Sequence, residues 1–270
     1  MSLEKEHGLA NLEFPALAPA DGYRLVVVGS HGGIGSALCR AAEANGMQVV
    51  GLDTEQAIRD KPAALAGPAI AVDVRDEVSI AAAFKQVGEL HGRIDGLAYV
   101  TGIGIPPTPA VDHQIGQWDK TMEVNLRGAF LTAVSARPLL KPDASVVFVS
   151  SGLAVQADPG FAAYSASKAG LLALAKTLAK EWAPVRVNSV APGLVNTAFL
   201  GGGSGQGKAV DGTVEDWFGP ERARAILETI PLKRIAVPDD VVAPMLFLLG
   251  AGSRFVTGQT LHVNGGRLSL

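Results

Sequence analysis

The feature that most restricts this chain is a valine run that breaks into glycine. Val26-Val27-Val28 leads directly into Gly29-Ser30-His31-Gly32-Gly33-Ile34-Gly35. Three β-branched apolar residues read as a buried strand, and the amphipathic stretch from Gly33 to Asn45 reads as a helix. The turn between them needs glycine for two reasons. The backbone must reverse with φ angles that a side chain resists, and it must approach an anion closely enough for amide groups and the helix N-terminus to hold it. A strand, a glycine turn and a helix in that order are what a pyrophosphate-binding first βα unit requires. Gly29, Ser30, His31, Gly33, Ile34 and Gly35 are therefore candidate cofactor contacts, with His31 readable either as a phosphate contact or as a tolerated loop residue.

Asp53 ends the next apolar run, Met47–Asp53, eighteen positions after Gly35. A carboxylate there accepts hydrogen bonds from adenosine ribose hydroxyls and repels a 2′-phosphate. No Arg or Lys lies between Gly29 and Gly35, and Thr54 follows Asp53, so the cofactor read from these residues is NAD rather than NADP. Asp73 and Val74 close a third run, Ala69–Val74, and are either adenine contacts or an ordinary strand end.

The rest of the chain alternates in the same way. Strands are expected at Gly96–Val100, Ala144–Ser150, Val185–Val190 and Gln259–Val263. Helices are expected at Glu77–Leu90 with Asp76 as N-cap, at Gly116–Leu140 bent or ended near Pro138, at Phe161–Trp182 and at Pro238–Leu249 with Asp239 and Asp240 in its first turn. Most strands are continuous apolar runs rather than alternating ones, which marks strands covered on both faces. The fold class is α/β, a doubly wound parallel sheet with helices on both faces. One domain is expected over residues 23–270, preceded by an arm at residues 1–22. The irregular stretch 194–233 reads as a substrate lid, with the glycine run Gly201–Gly207 and the apolar residues Phe199, Leu200, Trp217 and Phe218.

Composition excludes several classes. Of 270 residues, 48% are hydrophobic and 18% charged, which permits a sizeable core and argues against disorder. A net charge of −3 offers no basic surface for nucleic acid or anionic membrane. No apolar run approaches the roughly 20 residues that cross a bilayer, and the first 22 residues lack a secretory signal pattern. Cys39, the single cysteine, has no partner for a disulfide or a metal, so no metal is expected and a reducing cytoplasm is the reading.

Tyr164-Ser165-Ala166-Ser167-Lys168 opens the alanine-rich helix and puts Tyr164 and Lys168 on one helical face. An ammonium beside a phenol favours the phenolate, so the phenol is expected to fall from about 10 toward neutrality, where general acid/base catalysis is efficient. Ser150-Ser151 ends the preceding strand, where Ser151 can donate to a carbonyl oxygen. Asn125 lies inside a helix, where asparagine is unfavourable, and a local helix irregularity holding a water is the use read for it.

Taken together, Gly29–Gly35, Asp53, Asp73, Asn125, Ser151, Tyr164, Lys168, Pro192-Gly193 and Thr257-Gly258-Gln259 resemble the short-chain dehydrogenase/reductase family in its compact single-domain subtype, over roughly residues 22–266. The resemblance implies a Rossmann-type fold of about seven parallel strands. It implies Tyr164 as the acid/base, Lys168 as the holder of the nicotinamide ribose and the bias on Tyr164, Ser151 as substrate orienter, and Asn125 as the anchor of a water linking Lys168 to solvent. It also implies that Pro192, Gly193, Val195 and Thr197 flank the nicotinamide, and that the long helices pair subunits into a homotetramer or dimer.

Three departures stand out: Val28 where the family usually has Thr, Tyr99-Val100-Thr101-Gly102 where it usually has Asn-Asn-Ala-Gly, and Asn264 where Asp is more usual. Gly102 keeps close cofactor approach open beside Thr101. The function read is an NAD-dependent oxidoreductase moving a hydride to or from a small secondary alcohol or ketone, a polyol or sugar, or a 3-hydroxyacyl group. The alternatives are a catalytically silent dinucleotide sensor of the same fold and an epimerase or dehydratase with retained cofactor. The intact Asn125, Ser151, Tyr164 and Lys168 set argues against the first, and the compact length against the second.

Overall fold

The computed structural model describes residues 17–104, 106–201, 215 and 219–268. Seven strands form one sheet: β1 (Arg24–Val28), β2 (Gln48–Asp53), β3 (Ala69–Ala71), β4 (Ile94–Tyr99), β5 (Leu140–Val149), β6 (Arg186–Pro192) and β7 (Thr260–Val263). Their order is β3-β2-β1-β4-β5-β6-β7, and every pairing is parallel. The chain begins at the centre, winds outward to β3, then returns to the other side of β1. That reversal leaves a crevice at the carboxyl ends of β1 and β4, where ligands of open α/β sheets bind.

Both sheet faces are covered. One carries α3 (Glu77–His91), α5 (Gly128–Ala136) and α7 (Ala162–Glu181), which bury Ile80, Phe84, Ala129, Ala133 and Leu171 against Val26, Val28, Leu97 and Phe148. The other carries α1 (Gly33–Ala44) and α9 (Pro238–Leu249), which bury Leu38, Cys39, Val241 and Met245 against Leu25, Val27, Ala98 and Val147. The alternate residues of β1 thus serve two cores, which is why the valine run carries no polar position. Short helices fill the connections: α2 (Glu55–Asp60), α4 (Ile115–Met122), α6 (Leu153–Gln156) and α8 (Pro220–Glu228). Among the described residues no helix is long and apolar enough to cross a membrane.

Most expected elements are found within a residue or two. Asp76 caps α3 as read, accepting from the amides of Val78 and Ser79. Four differences are informative. The third strand ends at Ala71; Val72 still donates to the Asp53 carbonyl, and the Asp73 amide then turns to the Ser79 hydroxyl at the start of α3. The fifth begins at Leu140, upstream of the expected Ala144, and pairs with β4 across a register shift between Ile94 and Gly96. The long helix expected over Gly116–Leu140 is three pieces, α4, a π-helical turn at Glu123–Arg127, and α5, before a 3-10 turn at Arg137–Leu139. Helix α8 was read only as part of the lid. Trp217, Phe218 and residues 202–207 of the expected lid, and residues 1–16 of the expected arm, lie outside the described residues.

Candidate active site

The glycine turn is shaped as its composition requires. Gly29 has φ +91°, and a Cβ there would sit 2.7 Å from the Thr101 amide and 2.8 Å from its hydroxyl. A Cβ on Gly35 would collide with the carbonyl of Gly29. The turn therefore folds on itself tightly enough to leave the start of α1 open to an anion, a cradle that fits a dinucleotide pyrophosphate. Ile34 packs into the core beside α9, and Ser30 is fully buried with its hydroxyl 2.8 Å from His31 Nδ1.

His31 is not a solvent-facing loop residue. It is 2% exposed, its Nε2 has no hydrogen-bond partner among the described residues, and burial lowers its pKa, so the ring is neutral. Its amide donates to Asp53 Oδ2 at 2.8 Å, while Thr54 N donates to Asp53 Oδ1 at 2.8 Å. The carboxylate expected at the adenosine ribose is thus held in place by two backbone amides. The structure adds a cation that local sequence did not place here: Lys61, at the end of α2, donates to the His31 carbonyl at 3.3 Å. Asp73 is half-solvated and paired with Arg75 through bonds of 3.0 and 2.6 Å, which holds its carboxyl below the usual range, and Val74 turns its side chain into the core.

At the centre of the crevice, Thr101 and Gly102 follow β4. The amides of Val100 and Thr101 both donate to the Val28 carbonyl, at 2.8 and 3.1 Å, so the departure from Asn-Asn-Ala-Gly is braced by backbone. Tyr99 adds a second brace. Its buried phenol donates to the Val124 carbonyl at 2.6 Å, inside the π-helical turn. That turn widens the helix at Asn125, which is fully buried. The helix irregularity expected for Asn125 is therefore present. Its amide bonds are made to protein: Oδ1 accepts from Ile103 N at 2.8 Å, and Nδ2 donates to Ile103 O at 2.8 Å and Ser167 Oγ at 3.0 Å. Asn125 ties the loop after β4 to α7.

Tyr164 and Lys168 lie one turn apart on α7. Lys168 is 2% exposed, and its Nζ donates to the Val149 carbonyl at 2.9 Å and lies 5.8 Å from the Tyr164 ring centroid. A Cβ on Gly102 would be 3.0 Å from that ammonium, so glycine leaves the space in front of it free. Ser150 Oγ donates to the Lys168 carbonyl at 2.8 Å, anchoring α7 to the end of β5. Ser151 shares a hydrogen bond with the Tyr164 phenol. Ser167, which the sequence reading passed over, donates to the Tyr164 carbonyl at 2.8 Å and so joins Tyr164 to Asn125. Its signal in the sequence is only a small polar residue three positions after a tyrosine.

The expected ionisation is corrected. Burial pushes the Tyr164 phenol up to about 12, offset by the Ser151 hydrogen bond, and pushes Lys168 down to about 8. The ammonium lies 5.8 Å from the ring centroid, and desolvation is the dominant effect on the phenol.

On the far side, Pro192 ends β6, and Gly193 donates to the Val263 carbonyl at 2.9 Å while passing close to Asn264. Val195 is buried and pairs with Ala236. Thr197 presses its methyl on the glycine turn, where a Cβ at Gly33 would sit 2.5 Å from it. The residues expected to flank a nicotinamide are therefore brought over the crevice from the β6 side.

Comparisons with known proteins agree with this geometry. The family described as Enoyl-(Acyl carrier protein) reductase matches residues 28–267. An uncharacterized short-chain type dehydrogenase/reductase of Sinorhizobium fredii is 34% identical over 91% of this chain, which spans 44% of that longer protein. The D-threitol dehydrogenase of Mycolicibacterium smegmatis is 33% identical over 91% of this chain and 93% of its own length. Among solved structures, a short-chain dehydrogenase/reductase of Brucella melitensis described as glucose/ribitol dehydrogenase superposes with a TM-score of 0.83 at 27% identity, covering 94% of this chain and 99% of that one. With the glycine cradle and the Ser151, Tyr164 and Lys168 cluster in one crevice, and a family match over nearly the whole sheet, the chain belongs to the short-chain dehydrogenase/reductase family of oxidoreductases.

Proposed function

We propose that the protein is an NAD-dependent dehydrogenase/reductase that interconverts a small secondary alcohol and its carbonyl compound; a polyol or sugar is one class among its relatives, which include a D-threitol dehydrogenase and a glycerol dehydrogenase beside 3-oxoacyl reductases. The observation that carries this reading is the convergence of Ser151, Tyr164 and Lys168 at the switch point, facing Gly102 and the glycine turn. A nicotinamide held there supplies or accepts the hydride. Ser151 donates to the substrate oxygen and steadies its developing negative charge. The neutral phenol of Tyr164 gives its proton to that oxygen in reduction and takes it back in oxidation. Lys168 holds the ribose, Asn125 positions the loop that carries Gly102, and Pro192, Gly193, Val195 and Thr197 wall the opposite side. Asp53, held by two amides, accepts from the adenosine ribose and favours NAD over NADP.

The protein acts as a homo-oligomer on this reading. Support comes from α5, which leaves Phe130 and Val134 exposed at 46% and 45%. A reducing compartment fits Cys39, a buried thiol whose pKa burial raises to about 12 and so leaves inert.

The test is nicotinamide absorbance on a panel of secondary alcohols, polyols, sugars and hydroxyacyl compounds, with Tyr164→Phe alongside. We expect a substrate for which Tyr164→Phe lowers kcat/KM by about a thousandfold, while NADH still binds by fluorescence. NADH binding without turnover on any panel member would instead favour the sensor reading. Fluorescence titration with NADPH tests the cofactor choice separately, and equal or tighter NADPH binding would overturn it.

A further inference from the structure

The segment after β6 touches both halves of the crevice. Thr197 rests on the glycine turn at Gly33, and two residues later Phe199 lies against the phenol. The Phe199 and Tyr164 ring centroids are 5.9 Å apart at 49°, within the range of favourable tilted aromatic pairs. A Cβ at Gly104 would stand 3.1 Å from Phe199 Cζ and 3.7 Å from Tyr164 Cδ2, so the loop held by Asn125 closes on the same ring. Phe199 is only half-buried, on a 3-10 turn at Ala198–Gly201, and no polar bond fixes its side chain.

We propose that Phe199 is the specificity-determining residue of the substrate site: its ring shields the Tyr164 phenol from water and sets how wide a carbonyl substituent fits beside it. This deepens the proposed dehydrogenase/reductase reading and rests on it. A slender substituent needs only a small shift of the Phe199 ring away from Gly104, with which it is in contact. A broad one meets the ring face and must displace it, losing the aromatic contact.

Two measurements test this, and the first needs no turnover. The chain has three tyrosines, and burial holds Tyr23 and Tyr99 well above Tyr164. The first phenolate to appear in an alkaline near-ultraviolet titration therefore belongs to Tyr164, and its loss in Tyr164→Phe confirms the assignment. We expect Phe199→Ala to move that midpoint down by about one unit, and Phe199→Leu, which keeps an apolar cover, to move it less. Circular dichroism at each pH confirms that the fold persists. An unchanged midpoint in Phe199→Ala overturns the proposal.

The second measurement is NADH-dependent reduction of 2-butanone and acetophenone. Phe199→Ala should raise the acetophenone to 2-butanone ratio of kcat/KM about tenfold, and an unchanged ratio also overturns the proposal. Should neither ketone turn over, that result counts against reduction of simple ketones and not against the polyol, sugar or hydroxyacyl classes of the panel above. The phenol midpoint then decides the role of Phe199 alone.

Discussion

At Lys168 the proposed role in the site and stability conflict. An ammonium 2% exposed keeps one hydrogen bond, to the Val149 carbonyl, and burial lowers its pKa from the ordinary 10.5 to about 8. The folded state binds the proton less well than the unfolded chain, so stability is reduced below about pH 8. The penalty fades as pH rises toward 10.5. We therefore expect Lys168→Met to raise stability by about 2 kcal/mol at pH 7 after allowing for the lost bond. The gain over wild type should shrink by pH 10 in urea unfolding. A gain that grows with pH would reverse this assignment. The pairing of Tyr164 with Lys168 was legible from i and i+4 spacing alone. The ionisation of Tyr164 was not, because spacing says which side chains meet but not how much water surrounds them.

The elements were legible in proportion to how local their causes are. The cap at Asp76 and the helix Pro238–Leu249 are written in adjacent residues and were read directly. Arg186 was not. It sits on β6, 9% exposed, and its guanidinium donates to the carbonyls of Leu248, Leu249, Gly250 and Ser253 and to the Ser253 hydroxyl, at 2.6 to 3.2 Å. These are the C-terminal carbonyls of α9 and the turn after it, which also accept from the hydroxyls of Ser145 and Ser253 at Leu248 and of Tyr23 at Leu249. Their partner is more than 60 residues away in sequence. Arg186→Met should therefore cost about 3 kcal/mol, read as a lower urea midpoint with the slope unchanged. A change within about 0.5 kcal/mol would show that the remaining donors, Ser145, Ser253 and Tyr23 among them, suffice for these carbonyls. The π-helical turn is a similar case. Asn125 signalled an irregularity, but the turn is also held by Tyr99 of β4, whose phenol donates to the Val124 carbonyl.

At the scale of the whole molecule, the exposed Phe130 and Val134 are two apolar side chains close together on one helix, α5. We expect sedimentation to show a dimer or tetramer for the wild type and a smaller species for Phe130→Glu. A monomeric wild type would refute the assembly reading.

What the sequence determined by itself is the architecture and the family. Continuous apolar strands alternating with helices allow little but a doubly wound parallel sheet, and a glycine turn at its first crossover admits an anion at a known edge. Those are consequences of nearest-neighbour stereochemistry and periodicity, which a linear reading can see. Only the tertiary structure decided that His31 is buried against Asp53, that Lys61 reaches the same corner, that Asn125 spends its amide on Ile103 and Ser167, and that Phe199 lies on Tyr164. Each of these depends on which distant segments the sheet order brings together, and on how far water is excluded where they meet.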